Sequence, residues 1–260
     1  MDLPLYTRRI NDRSPRRAAD RVGTVVTVAW RKPKQRRLGI ALAAAVLSAI
    51  AFARIAEDYL TNDPLARWDV SFARWLSGER STVGTDIFRV FTFIGSPAAV
   101  LAIATIVCVL LYRRRQLVEA ALLPVVLGGS ELLNVVLKLS FHRPRPEVAF
   151  VHLDTYSFPS GHAMLSAAAY GALAYLAWNH LHARQQRLAL TAGTIVLVAL
   201  ICFSRLYLGV HYLSDVLGGA AAGAFWLAVS IALQTLYGER FARVFAGSSA
   251  DRLGRRVTRS

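Results

Sequence analysis

Long apolar runs separated by short polar connections make up most of the chain. Six runs approach the ~20 residues that an α-helix needs to cross ~30 Å of hydrocarbon. They lie at about 38–56, 88–112, 117–139, 162–181, 188–206 and 211–237. A helix that is apolar on all sides is either buried or spans a membrane. The pattern therefore predicts an all-α integral membrane bundle of six transmembrane helices over residues 38–237.

Two basic tails flank this predicted bundle, at residues 1–37 and 238–260. Residues 2–20 contain few apolar side chains, so we expect a disordered basic N-terminal tail there. A short amphipathic piece around residues 22–30 is expected to lie on the membrane surface.

The first apolar run has a second interpretation, as a cleaved signal peptide. Ala51, Phe52 and Ala53 resemble a small-residue cleavage site. The run is longer than the ~7–15 apolar residues of a signal peptide, and the basic region before it is long. We therefore favour a retained helix.

Composition and charge agree with a membrane protein. Of the 260 residues, 55% are hydrophobic, which is high for a soluble domain. The formal net charge is +15, and most of the 31 Lys and Arg residues fall on the side that holds both tails. The positive-inside rule makes that side cytoplasmic. We expect a multi-pass plasma-membrane protein with both termini in the cytoplasm.

The sequence disfavours a nucleic-acid surface, a disulfide framework and a zinc site. No stripe of basic and aromatic residues marks a nucleic-acid surface, so no nucleic-acid partner is predicted. Cys108 and Cys202 lie inside apolar runs without metal-ligating neighbours. This placement disfavours a disulfide framework and a zinc site. We predict neither a metal ion nor a cofactor.

The predicted extracytoplasmic loop at residues 57–87 contains an amphipathic pattern. Trp68, Phe72 and Trp75 recur every three or four residues, which places them on one face of a helix. Aromatic side chains are enriched where lipid meets water. We expect a helix that lies at the membrane interface or, more simply, connects two spans.

Three polar clusters fall where apolar runs meet the predicted extracytoplasmic side. They are Lys138 with Arg145-Pro146, then Pro159-Ser160-Gly161-His162, and then Ser204-Arg205 with His211 and Asp215. Arginine forks match phosphate oxygens, and the free N–H groups at the start of a helix favour an anion. A phosphoryl group in transfer needs fixed positive charge around its oxygens. The clusters therefore predict a phosphate site on one membrane face.

His211 is the candidate nucleophile. Asp215 follows it by four residues, where a carboxylate can fix the tautomer of the imidazole and raise its basicity. His162 then remains to protonate the leaving oxygen, because two histidines that titrate near neutrality can divide these roles.

The three clusters resemble the signature of the type 2 phosphatidic acid phosphatase superfamily. That signature reads K-x6-R-P, P-S-G-H and S-R-x5-H-x3-D, and this sequence matches every specified position over a resemblance that covers about residues 85–237. The resemblance implies metal-independent hydrolysis of a phosphomonoester or diphosphate through a phosphohistidine. It implies that His211 is the nucleophile, Asp215 its partner and His162 the general acid. The residues implied to hold the phosphate are Lys138, Arg145, Ser160, Gly161 and Arg205.

The predicted function is hydrolysis of a lipid phosphate or lipid diphosphate at the extracytoplasmic face, with membrane lipids as partners. Candidate substrates are polyprenyl diphosphate, phosphatidic acid and phosphatidylglycerol phosphate, since the motifs contact only the phosphate. A membrane-bound sugar-phosphate phosphatase is one alternative. A non-catalytic lipid-phosphate binder or transporter is another, which the intact His211, Asp215 and His162 disfavour. The pattern fixes no oligomeric state.

Other polar residues near the clusters are expected to have supporting roles. Glu131 and Asn134 share a helix face with Lys138. We expect Glu131 to support Lys138 and Asn134 to form a helix–helix hydrogen bond. Arg143 is expected to touch the phosphate or the lipid headgroup. The remaining candidates are expected to be loop residues: His142, His152 and Asp154.

Overall fold

The computed structural model describes residues 15–61, 63–151 and 154–257, with side chains described from residue 34 to residue 241 outside the gaps, and at residue 243. Within this part of the chain all regular secondary structure is helical, which confirms the all-α prediction. The helices are α1 Pro15–Thr61, α2 Pro64–Gly78, α3 Thr82–Ile94, α4 Pro97–Arg113, α5 Leu117–Phe141, α6 Gly161–Trp178, α7 Arg184–Tyr207 and α8 Leu213–Val257.

The two terminal helices extend into the predicted tails. Helix α1 begins at Pro15, a residue type that is favoured at the first helical position. The disorder predicted for residues 2–20 is therefore not found from residue 15 onward, and residues 22–30 belong to α1 and not to a separate surface helix. Residues 1–14 lie outside the described residues. At the other end, α8 continues to Val257.

The second predicted span is two helices rather than one. Helices α3 and α4 meet at a bend of 45°. Gly95 ends α3, Ser96 caps α4 by accepting from the Ala99 N–H at 3.3 Å, and Pro97 occupies the first turn. A Cβ on Gly95 would overlap the side chain of Ile201, so the bend also permits close packing against α7.

Among the described residues, four helical stretches are long and apolar enough to cross a membrane, and the bent pair makes a fifth if it counts as one span. They are Lys34–Thr61, Leu117–Phe141, Arg184–Tyr207 and Leu213–Phe241. Helix α6, the fourth span predicted from the sequence, falls outside this set because polar and aromatic residues such as His162, Ser166 and Tyr170 lower its mean hydropathy. At 1.5 Å per residue it still covers most of ~30 Å.

Helix α6 packs against α4, α5, α7 and α8, and half of its residues are buried. Its buried face consists largely of small side chains, including Ala163, Ala168 and Ala172. Gly223 of α8 approaches so closely that a Cβ there would overlap the backbone oxygen of Met164. Small residues at such contacts let membrane helices gain van der Waals packing.

The two ends of the bundle differ in chemistry. At one end, Lys34 of α1 forms a salt bridge of 3.0 Å with Glu239 of α8, and Arg37 donates to Asn179 at 3.4 Å. At the other end lie the last turns of α5 and α7 and the first turns of α6 and α8. The loop between α5 and α6 is anchored there by the fully buried ring of Phe158.

Helix α2 confirms the amphipathic helix predicted in the 57–87 loop. Trp68 and Trp75 are 64% and 59% exposed, whereas Asp69 and Leu76 on a neighbouring face are buried. Its position at a membrane interface stays a prediction.

Replacing Gly223 by alanine is expected to lower the thermal stability of the detergent-solubilised protein. The added methyl group meets a backbone oxygen that cannot rotate away, and overpacking of this kind costs about 1–3 kcal/mol. Gly193→Ala in α7 is the matched control, because nothing lies within 4 Å of a Cβ at that position. Melting curves in which the two variants behave alike would contradict the packing of α8 on α6.

Candidate active site

The three polar clusters meet at one end of the bundle, as the sequence predicted. The helix ends that meet carry Lys138 in α5, Ser160 and Gly161 at the start of α6, Arg205 in α7 and Asp215 in α8. The charges of Lys138, Arg145 and Arg205 all act on His162 in the first turn of α6. His211 lies in the short connection from α7 to α8.

The connection that carries His211 is fixed by a glycine and an arginine. Gly209 has a φ of +67°, in the left-handed region that favours glycine. Arg80 donates from Nε to the Tyr207 carbonyl at 2.7 Å and from Nη1 to the Val148 carbonyl at 2.9 Å. Arg80 therefore ties this connection to the loop between α5 and α6.

His211 and Asp215 form a buried pair, with 3% and 0% of their surfaces exposed. His211 Nδ1 lies 3.4 Å from Asp215 Oδ2, without a well-aligned hydrogen bond, and Nδ1 has no other partner among the described residues. The backbone N–H of Tyr212 donates to the same Oδ2 at 2.8 Å, and the Ser157 hydroxyl also donates to it. These contacts hold the carboxylate beside the imidazole.

Arg145 indicates which nitrogen of His211 carries the ring proton. Its Nη1 lies 3.3 Å from His211 Nε2. A guanidinium has only donors, so Nε2 acts as the acceptor in this contact. The proton of a neutral ring is therefore on Nδ1, toward Asp215, and the lone pair is on Nε2.

The surroundings of His211 favour a neutral ring. Burial, assisted by the charges of Arg205 and Arg145, lowers the pKa of the imidazole to about 4, although Asp215 opposes the shift. At neutral pH the ring is consequently neutral, and its Nε2 lone pair can attack once the contact with Arg145 Nη1 is released.

Two of the candidate phosphate ligands are held by the loop between α5 and α6. Arg145 donates to two backbone carbonyls at 2.7 Å, from Nε to Thr155 and from Nη1 to Val210. Its Nη2 donates to the Thr155 hydroxyl at 2.8 Å. Lys138 donates to the Tyr156 carbonyl. Backbone carbonyls therefore aim both cations toward the same end of the bundle.

Several buried polar atoms near the start of α6 have no hydrogen-bond partner among the described residues. They are Ser160 Oγ, Arg205 Nε and Asn134 Oδ1. Buried polar atoms usually have partners, so such a group at a helix N-terminus suits an anion with several oxygens. Gly161 permits a close approach there, because a Cβ at this position would lie 2.9 Å from Asn134 Nδ2.

Arg143 does not have the role that the sequence predicted. It is buried and donates from Nη1 to Asp215 Oδ1 at 2.7 Å and to the Ser214 hydroxyl at 2.6 Å, and from Nη2 to Asp69 Oδ2 at 2.7 Å. The expected contact with the phosphate or headgroup is wrong, because the guanidinium is buried and its charge is paired with these two carboxylates. Arg143 binds Oδ1 of Asp215, whereas His211 faces Oδ2.

Sequence reasoning missed Asp69, which lies next to this arginine. Asp69 shares the buried face of α2 with Ala66, Ala73 and Leu76. Burying a carboxylate on an apolar helix face costs free energy unless the carboxylate is paired, so the position of Asp69 in the sequence indicated a buried partner. Ser157 was also missed, and no pattern around it marks its contact with Asp215.

The other polar candidates are peripheral. Glu131 is exposed, and its expected support of Lys138 stays a prediction. Asn134 lies against Gly161, and the helix–helix hydrogen bond predicted for it is not found at its Oδ1. The His142 ring packs edge-on against Tyr156. His152 lies outside the described residues. Among the described residues, no cluster of three or more His, Cys, Asp or Glu side chains could hold a metal ion.

Comparisons with known proteins identify the family of the chain. Residues 119–238, which contain all three clusters, match the PAP2 superfamily. The chain is 35% identical over 142 residues to phosphatidylglycerophosphatase B of Bacillus subtilis (strain 168), an alignment that covers 53% of this chain and 69% of that protein.

Two solved structures share the fold. The crystal structure of a transmembrane PAP2-type phosphatidylglycerolphosphate phosphatase from Bacillus subtilis has a TM-score of 0.67 and 29% identity, over 72% of this chain and 93% of that one. The crystal structure of Aquifex aeolicus LpxE has a TM-score of 0.51 and 22% identity, over 63% of this chain and 94% of that one. At this identity the likeness supports the fold only. The chain is thus a multi-pass membrane protein that belongs to the PAP2 superfamily, in its membrane-bound lipid phosphatase branch.

Proposed function

We propose that this protein hydrolyses a lipid phosphate through a phosphohistidine on His211. One observation carries the proposal: His211 lies between Asp215 at Nδ1 and Arg145 at Nε2. This arrangement gives a neutral ring whose lone pair points toward a cation that matches phosphate. Membership of the PAP2 superfamily supports the phosphatase chemistry.

In the first step, His211 Nε2 attacks phosphorus, and the bond from phosphorus to the leaving oxygen breaks in line with the new P–N bond. His162 donates a proton to the leaving oxygen, so the lipid product departs without an uncompensated negative charge at that atom. Asp215 stabilises the positive charge that develops on the imidazole.

In the second step, a water molecule attacks the phosphorus of the phosphohistidine. His162, now neutral, accepts a proton from this water, the P–N bond breaks, and inorganic phosphate leaves. Both histidines return to their starting states, so the two steps balance without a redox partner. We propose that neither step uses a metal ion.

Fixed positive charge replaces a metal ion in this proposal. Lys138, Arg145 and Arg205 neutralise the phosphoryl oxygens, and the start of α6 at Ser160 and Gly161 supplies backbone donors. Since these groups are placed before substrate binds, little reorganisation is needed as charge develops in the transition state.

We propose that the site faces the extracytoplasmic side of the plasma membrane, with both termini in the cytoplasm. Lys34 and Arg37 lie at the opposite end of the bundle, where the positive-inside rule places basic residues in the cytoplasm. The phosphate then meets the polar end of the bundle while the lipid tails stay in hydrocarbon.

Phosphatidylglycerol phosphate is the first substrate to test, because the names of two similar proteins refer to that lipid. Phosphatidic acid and polyprenyl diphosphate complete the panel. Purified protein in detergent and EDTA is expected to release phosphate from at least one of the three. His211→Ala is expected to lower the rate on the order of 10⁴-fold or more, as loss of a nucleophile does in a well-studied hydrolase.

The control for this assay is His180→Ala, because His180 is exposed and lies beyond the opposite end of α6. It should retain the wild-type rate. Activity of His211→Ala at the wild-type level would contradict the mechanism. Binding of these lipids by the wild type without any phosphate release would instead indicate a non-catalytic binder or transporter.

The ionisation of His211 provides a second test that needs no substrate. Because burial lowers the pKa of the ring to about 4, we expect its NMR signals to remain those of a neutral imidazole down to about pH 5. A free histidine with a pKa of about 6.5 is mostly protonated there. The spectrum of His211→Ala identifies the signals, and a titration midpoint near 6.5 in the wild type would overturn this account of the nucleophile.

A further inference from the structure

We propose that Asp69 of α2 is a positioning residue for the reaction, which acts by holding Arg143 and the first turn of α8 so that Asp215 keeps its place beside His211. The inference rests on the proposed function. It concerns a residue outside the 119–238 segment that matches the superfamily.

Asp69 is nearly completely buried, with 1% of its surface exposed, and both of its carboxylate oxygens are used. Oδ2 accepts from Arg143 Nη2 at 2.7 Å and from the Ser214 hydroxyl. Oδ1 accepts from the backbone N–H of Ser214 at 3.0 Å. A single side chain therefore contacts both neighbours of Asp215: the arginine bound to it and the residue before it.

The contact with Ser214 fixes the beginning of α8. Helix α8 starts at Leu213, so the N–H of Ser214 belongs to the first turn, whose backbone donors have no partner within the helix. A carboxylate at this position satisfies a donor and interacts favourably with the helix dipole. Because Asp215 belongs to the same turn, Asp69 fixes the backbone from which the Asp215 side chain projects.

The contact with Arg143 balances charge around Asp215. The guanidinium lies between the rings of Tyr59 and Tyr212, at 4.6 and 4.3 Å from their centroids, and bridges the two carboxylates. Without the charge of Asp69, Asp215 becomes the one carboxylate that pairs with this buried cation. Arg143 then draws Asp215 toward itself, and the interaction between the Asp215 carboxylate and the His211 ring becomes weaker.

This arrangement gives α2 more than a connecting role. The same helix exposes Trp68 and Trp75 on one face and places Asp69 on a neighbouring face. The position of α2 against the bundle therefore determines the position of Asp69, and through it the geometry of the His211–Asp215 pair.

The central variant is Asp69→Asn, which keeps the size of the side chain and removes its charge. We expect kcat per folded protein to fall about 100-fold, as when a catalytic group is slightly misplaced, with KM little changed because the phosphate ligands are intact. Asp86→Asn is the matched control, since Asp86 is an exposed carboxylate in α3 that pairs with Arg89. It should behave as wild type.

Two further measurements separate positioning from a loss of folding. The Nδ1–H NMR signal of His211, which reports its contact with Asp215, should shift in Asp69→Asn and not in Asp86→Asn. In an Arg143→Met background, Asp69→Asn should cause little additional loss of kcat, because the Asn oxygen can still accept from the Ser214 N–H and the loss of charge acts through Arg143. Replacing both charges also removes one of the two buried carboxylates that Arg143→Met alone leaves without a cation.

Wild-type kcat in Asp69→Asn, an unmoved His211 signal, or fully additive losses in the double variant would each overturn the inference. These outcomes are distinct from failure of the proposed function, since that failure appears as absent phosphate release in the wild-type protein.

Discussion

A buried arginine shared by two buried carboxylates holds the polar end of this bundle together. Arg143 joins Asp69 of α2 to Asp215 of α8 from the loop after α5. An unpaired charge in such a place costs several kcal/mol, so each of the three requires the others. Asp215 then gains donors from Ser157 and the Tyr212 backbone, which attach the α5–α6 loop and the α7–α8 connection to the same carboxylate.

The two carboxylate oxygens of Asp215 have different roles. Asp215 presents Oδ1 to Arg143, which fixes it, and Oδ2 to His211, which it orients. On the other side of the ring, Arg145 faces Nε2. Carboxylate charge thus lies behind the imidazole and cationic charge in front of it, where a phosphoryl group must arrive. A neutral nucleophile between them can attack an anionic substrate without first losing a proton.

The sequence predicted the fold class, and it predicted which polar residues lie together because they belong to short motifs at helix ends. Local spacing identified His211 with Asp215 and the start of α6 at Ser160. The helix break before Pro97 was missed because the apolar run continues through it, although Gly95 and Ser96 are residue types that often end and begin helices. The pairing of Asp69 with Arg143 spans 74 residues and depends on how α2 packs, which no local pattern encodes. Arg143 was misassigned for the same reason, since its neighbours in sequence suggested phosphate.

The central claim is that phosphate passes through His211 before it reaches water. It is tested most directly by the stereochemical course at phosphorus, with a lipid thiophosphate that is chiral through one heavy oxygen isotope and is hydrolysed in water that carries another. Each in-line displacement inverts the configuration, so two successive displacements predict released thiophosphate with overall retention. Overall inversion would show that water attacks the lipid phosphate directly and would contradict the role assigned to His211.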